Sequence, residues 1–239
     1  MTSLFIRIAV WTLPGFCLLL TGCEGPLSIL DPAGPSAREA NTLWWAMFGV
    51  AALVLLAVVG LWLYAVNRPS SPTTERHTRA NGVRWLVGGG LILPIVSIVT
   101  LLAFGIPAGH RMLPLTLNDG ETEVLQIHVT ARQWHWEVVY PQWGLRLDNE
   151  IHIPLNVPVD IHLTSTDVIH SFWVPRLAGK LDAVPGRTNV LRLQADHADT
   201  YLGQCAEFCG VRHAHMQFTL TAHSTSDFEQ WLQEAQVDD

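Results

Sequence analysis

Two runs without a single charged side chain, residues 43–66 and 85–106, constrain this chain of 239 residues more than any other feature. At about 1.5 Å per helical residue, each run reaches roughly 30 Å or more, enough to cross the hydrocarbon core of a bilayer. A helix buried in a globular core can be equally apolar, but two such lengths in succession favour a transmembrane hairpin. Pro94 and the Gly88-Gly89-Gly90 run lie in the second segment. Both are tolerated in a membrane helix that packs closely against a neighbour.

Orientation follows from the connecting stretch, residues 67–84. Arg68, Arg76, Arg79 and Arg84 stand there against one acid, Glu75. An excess of Arg in a short loop places it in the cytoplasm. Residues 23–42 and 108–239 are then expected on the outer face, in the periplasm or outside a bacterial inner membrane. The N-terminus agrees. Arg7 precedes an apolar run over residues 8–20, too short to span comfortably and fitting a signal-peptide core. Leu20-Thr21-Gly22-Cys23 follows at once and resembles a bacterial lipoprotein processing site. This predicts removal of residues 1–22 and lipidation of Cys23; ordinary signal cleavage with an incidental cysteine is the alternative.

Beyond residue 108 the chain is mixed and turn-rich, long enough to bury a core without disulfide staples. It holds seventeen Asp and Glu against eight Lys and Arg. That excess argues against nucleic acid and for a basic protein partner brought in by electrostatic steering. From residue 123 apolar side chains recur with period two: Leu125, Ile127, Val129 and Ala131; Trp134, Trp136, Val138 and Tyr140; Val157, Val159, Ile161 and Leu163; Leu191 and Leu193; Met216, Phe218 and Leu220. Short alternating strands with turn residues between them predict an antiparallel sandwich or barrel. Ser226-Asp227-Phe228-Glu229 reads as a capping box opening a short terminal helix, with Phe228, Trp231 and Leu232 on one face.

The four cysteines fall into two separated pairs, Cys17 with Cys23 and Cys205 with Cys209. Between Cys205 and Met216 the chain also carries His213, with His215 beside it, so twelve residues supply two thiols, imidazole nitrogen and a thioether. Soft sulfur donors with imidazole suit copper, and a His, Cys and Met set is a recipe for electron-transfer copper. Two thiolates four residues apart on one loop suit a pair of bridged ions. A disulfide in an oxidising compartment leaves His213 and Met216 unexplained. Structural zinc seldom recruits Met. A thioredoxin-like pair requires C-x-x-C in a βαβ setting, which is missing here. A further imidazole has to come from elsewhere, and His170 is one of eleven histidines; periodicity does not single it out.

The runs Arg132-Gln133-Trp134-His135-Trp136, Asp167-Val168-Ile169-His170-Ser171, Gly179 to Asn189 and the 205–216 loop, in that order, resemble subunit 2 of cytochrome c oxidase, a haem-copper oxidase. The resemblance covers nearly the whole chain after Cys23. It implies a two-helix transmembrane hairpin followed by an all-β cupredoxin-like domain, a Greek-key sandwich or barrel. It further implies a binuclear copper A centre bridged by Cys205 and Cys209. His170 and His213 would each terminate one copper, with Met216 and the Glu207 carbonyl as weaker ligands. The Glu207 carboxylate would help bind magnesium at the subunit interface. Trp134 would be the point of electron entry and Asp167 part of the cytochrome docking face. The implied activity is that of a proton-translocating oxidoreductase subunit. It would relay electrons from cytochrome c to haem in subunit 1, with subunit 3 also in the complex and oxygen reduced in the partner. One departure concerns protons: near the start of the second span, where the family commonly carries Glu, stand Val87 and glycines. A quinol oxidase subunit without copper and a tethered copper-delivery protein are the rival readings.

Overall fold

The computed structural model describes residues 24–69, 75–114 and 124–237. The predicted signal segment and Cys23 lie outside the described residues. The chain divides into two compact units, residues 42–112 and the remainder.

Each charge-free run lies in the first unit and inside a longer helical stretch, the first of which begins in the last residues before that unit. Helix α1 is Pro35–Asn67. Helix α2, Glu75–Val87, passes through a π turn at Gly88–Ile92 into α3, Leu93–Arg111, so helical structure begins within the stretch read as the connecting loop. The π turn has a local cause. Pro94 lacks an N–H, and its ring would crowd the carbonyl of residue 90 in a regular helix. The Leu93 N–H instead donates to the Gly88 carbonyl, one residue further back than in an α-helix, and the glycines accept the widened turn. Two helices, Pro35–Asn67 and residues 81–111, are long and apolar enough to cross a membrane.

The second unit is a β-sandwich. Its strands are β1 Leu125–Arg132, β2 His135–Tyr140, β3 Leu145–Asp148, β4 Glu150–Pro154, β5 Val159–Ser165, β6 His170–Trp173, β7 Leu181–Ala183, β8 Asn189–Leu193, β9 Asp199–Cys205 and β10 Gln217–His223. One sheet has the order β3-β2-β1-β5-β8 and the other β4-β10-β9-β6-β7. The expected two-sheet domain is present, but its sheets are mixed: β1 lies parallel to β5, and β4 parallel to β10. Period two cannot foretell this, because alternation fixes which side chains face inward and not which way a neighbouring strand runs. Ile127, Val129, Trp136, Val138, Ile161 and Leu163 are fully buried between the sheets, as their alternation predicts. Tyr140 ties the layers together: its hydroxyl donates to the His152 carbonyl at 2.9 Å and accepts from the His152 N–H at 2.7 Å.

Residues 24–41 pack onto this sandwich. The Ala33 N–H donates to Arg176 O and its carbonyl accepts from Asp196 N–H, while Arg176 pairs with Asp31 and Asp199. Gly34 is needed in this strap, since a Cβ there would stand 2.3 Å from the Gln194 carbonyl oxygen. The terminal helix α4, Thr225–Ala235, is capped by Ser224 and not by Ser226. Ser224 has extended backbone geometry, which aims its hydroxyl at the Asp227 N–H. Phe228 and Trp231 still share the face turned to the sheets, as expected.

Candidate metal centre

Strand pairing assembles the site. Antiparallel β6 and β9 set Phe172 opposite Cys205, so His170 and Cys205 come from adjacent strand ends. The 205–216 loop then leaves β9 and returns into β10, closed by a Cys205 N–H to Met216 O bond of 2.9 Å. Three rings floor it: Trp136 meets Phe172 and Phe218 edge-on at 5.6 and 5.5 Å, and Phe172 stacks on Phe218 at 4.5 Å. Gly203, opposite Phe218, gives that ring its place, because a Cβ there would stand 2.1 Å from the Phe218 ring.

Above this floor the sulfur and nitrogen donors converge. The Cys205 and Cys209 sulfurs are 3.8 Å apart, both cysteines are free thiols, and both are buried. His170 Nδ1 lies 3.9 Å from the Cys205 sulfur, and His213 Nδ1 lies 3.6 Å from the Cys209 sulfur. The Glu207 carbonyl oxygen stands 3.2 Å from Cys205 Sγ, and Met216 Sδ 3.7 Å from Cys209 Sγ. Each thiol therefore has one imidazole and one weaker donor beside it. Two donors bound to one ion at about 2.0–2.3 Å with a tetrahedral angle are themselves about 3.3–3.8 Å apart. The observed spacings, 3.2 to 3.9 Å, bracket that range closely. The donor set fits copper, with two soft thiols, a thioether and two imidazoles. Burial first, and then the neighbouring Cys205 thiol, push the Cys209 thiol up to about 12. Two thiolates side by side here require a balancing cation.

A supporting layer orients the donors. Asp167 accepts from His170 Nε2 at 2.9 Å, which leaves His170 Nδ1 facing the thiols. The same carboxylate accepts from the Gln133 N–H at 2.7 Å and the Val168 N–H at 2.6 Å. Burial acts against its ionisation, but the bonds from His170, Gln133 and Val168 outweigh it and bring Asp167 down to about 2. Gln133 also donates through its side chain to the Cys209 carbonyl at 2.7 Å. Its double contact was not read from the sequence, where the one available signal was its place in the 132–136 run. Trp134 lies beside the ligand loop: a Cβ on Gly210 would meet its ring at 3.3 Å, and Gly210 has φ +122°. The Arg212 guanidinium stands 6.0 Å from the centre of that ring. The Glu207 carboxylate turns away from the thiols to the exposed Lys180 ammonium at 3.7 Å. Cys23, the remaining predicted site residue, is outside the described residues.

The model of the cytochrome c oxidase subunit II periplasmic domain matches residues 141–223. The chain is 32% identical to cytochrome c oxidase subunit 2 of Alkalihalophilus pseudofirmus, over 90% of this chain and 65% of that one. It is also 32% identical to cytochrome bo(3) ubiquinol oxidase subunit 2 of Pseudomonas putida, over 91% and 69%. It thus spans about two thirds of the length of these relatives. Among solved structures, the periplasmic domain of subunit II of cytochrome oxidase of Bradyrhizobium japonicum is 31% identical with a TM-score of 0.46, covering 48% of this chain and 94% of that one. With two apolar helices, a β-sandwich and this degree of likeness to both kinds of relative, the chain belongs to the subunit 2 family of the cytochrome c and quinol oxidases.

Proposed function

We propose that this chain is the electron-relay subunit of a respiratory haem-copper oxidase, taking electrons from cytochrome c and handing them to haem in subunit 1. The observation that carries the reading is the convergence of five side-chain donors, His170, Cys205, Cys209, His213 and Met216, on one buried point. Cys205 and Cys209 would bridge a copper pair, His170 with the Glu207 carbonyl would complete one side, and His213 with Met216 the other. When bound, the copper pair supplies a one-electron redox couple spread over two ions. The chain's own part is rigidity. Asp167 and Gln133 fix the imidazole and the loop, and the Trp136, Phe172 and Phe218 rings exclude water beneath them. Trp134, against the outer side of the loop, is the assigned entry point, with Asp167 on the docking face. The acidic domain suits a basic cytochrome. Glu207 is assigned to a magnesium ion shared with the neighbouring subunit.

The same reading assigns the chain to a bacterial inner membrane beside subunits 1 and 3. Cys23 is lipidated and the β-sandwich lies outside. The relatives include quinol oxidase subunits, so a copper-free structural role is the reading to exclude. Copper analysis and electron paramagnetic resonance of the full chain, purified with its complex, decide between them. About two coppers per chain beyond those of the catalytic subunit, with a mixed-valence spectrum, is the expected result. Absence of that spectrum in a complex that still oxidises quinol refutes the relay.

A further inference from the structure

We infer a second metal site, exposed on the outer face of the β1–β5 sheet, in which His128 and His162 together chelate a divalent copper ion. Parallel pairing puts these residues in direct register, and their ring centres are 5.0 Å apart. Both rings lie on the outer side of the pleat, since Ile127, Val129, Ile161 and Leu163 on either side of them are fully buried. Imidazoles at that spacing bring their nitrogen edges within about 3–4 Å of each other when both turn to a shared ion at about 2.0 Å. Neutral imidazole is the binding form, and His128 is lowered by burial and then by the adjacent His162, which favours that form. Among divalent first-row ions copper binds such a nitrogen pair most tightly.

The surroundings limit the site to two protein ligands. Asp160, two residues from His162 on the same face, is held by Arg192 through two 2.7 Å bonds. Water therefore completes the coordination, and the ion exchanges readily. Imidazoles tilted like these, with their planes 57° apart, also pack as an ordinary cross-strand pair. The proposal differs from that by requiring both rings at once. The site is separate from the thiol centre and does not depend on it.

The test titrates copper(II) chloride into the full chain in detergent after the thiol centre has been loaded. One further equivalent is expected, with a spectrum split by nitrogen. His128→Gln and His162→Gln should each weaken it about a hundredfold, because the second imidazole acts as an intramolecular ligand. Both changes are on the outer face, and an unchanged melting temperature reports that the domain is folded. A register variant, His128→Gln with Thr130→His, keeps the histidine count but sets the ring diagonal to His162, about 7–8 Å away. It should bind as weakly as the single variants. Unchanged affinity in either single variant, or full affinity in the register variant, overturns the site. If the thiol centre takes up no copper, the same variants still report on this pair alone, so the two readings fail separately.

Discussion

Strand β10 joins two polar clusters, each partly buried, of opposite design. At its start, Met216 sits with Cys205, Cys209, His170 and His213, and the donor atoms face one another across gaps of 3.6–3.9 Å. At its end, His223 Nε2 hydrogen-bonds to His152 Nδ1 at 2.7 Å, His152 Nε2 bonds to Glu150 at 2.9 Å, and Trp231 stacks on His152 at 4.1 Å. The second cluster satisfies itself and locks helix α4 onto the sheet. In the first, Asp167 holds the far side of the His170 ring and the Glu207 carbonyl stands 3.2 Å from Cys205, but the donor atoms that face one another meet only in sulfur contacts of 3.6–3.9 Å, too long for strong hydrogen bonds. Buried polar groups that pair among themselves serve stability. Buried donors that point at a common gap serve a ligand.

Four outcomes break or sharpen this contrast. Cys205→Ser or Cys209→Ser should abolish the copper spectrum and the thermal stabilisation that copper confers, since the bound ion adds its binding energy to the fold. Copper-dependent melting curves read this, and retention of the full spectrum by either variant removes the bridging assignment. Trp231→Ala should cost about 2–4 kcal/mol by undocking α4, seen as a lower melting temperature, while copper content stays at the wild-type level. A matching loss of copper would mean that the two ends are coupled. Asp167→Asn removes the negative charge and one of the two oxygens that accept from His170, Val168 and Gln133, without removing a ligand. It should weaken copper retention about tenfold, read by competition with a chelator, with little change in the melting temperature of the apoprotein.

The smallest effect is the pH dependence of the α4 end. Burial first, partly offset by Glu150, holds His152 below its ordinary value, and burial likewise lowers His223 against the opposing pull of Asp227. Over the range between those depressed values and about 6.5, the unfolded chain binds more protons than the folded one. Stability therefore rises with pH through this window and is lost as pH falls below about 6.5. Melting temperatures at about pH 7.5 and about pH 5.5 measure it. In His223→Gln the difference between the two should shrink, and an undiminished difference would assign the acid sensitivity elsewhere.

Much of this was legible in the residues. Strands β1 and β5 stand where alternation put them, and Trp136, Val138 and Tyr140 face the core as read. Trp134, placed on the same face, instead lies outside β2 against the ligand loop, because the chain turns at residues 133–134 before the strand begins. The capping residue was missed by two positions, since Ser224 and Ser226 are chemically alike and only backbone geometry distinguishes them. The donors of the 205–216 loop were evident from their spacing, whereas His170 was singled out by resemblance alone. Gln133 had only its place in the 132–136 run, and the facing of His128 and His162 had no local signal at all.

The sequence by itself determined the two long apolar helices, the inward faces of the strands and the presence of a sulfur-rich ligand loop. Each of these is written in charge, periodicity or close spacing along the chain. Only the tertiary structure decided that strands β1 and β5 run parallel, that β6 brings His170 to Cys205, and that Asp167 and Gln133 brace the pair. Those outcomes depend on contacts between residues some 30 to 80 positions apart. Such contacts form because the assembled sandwich buries its apolar faces jointly, a condition that no single segment carries.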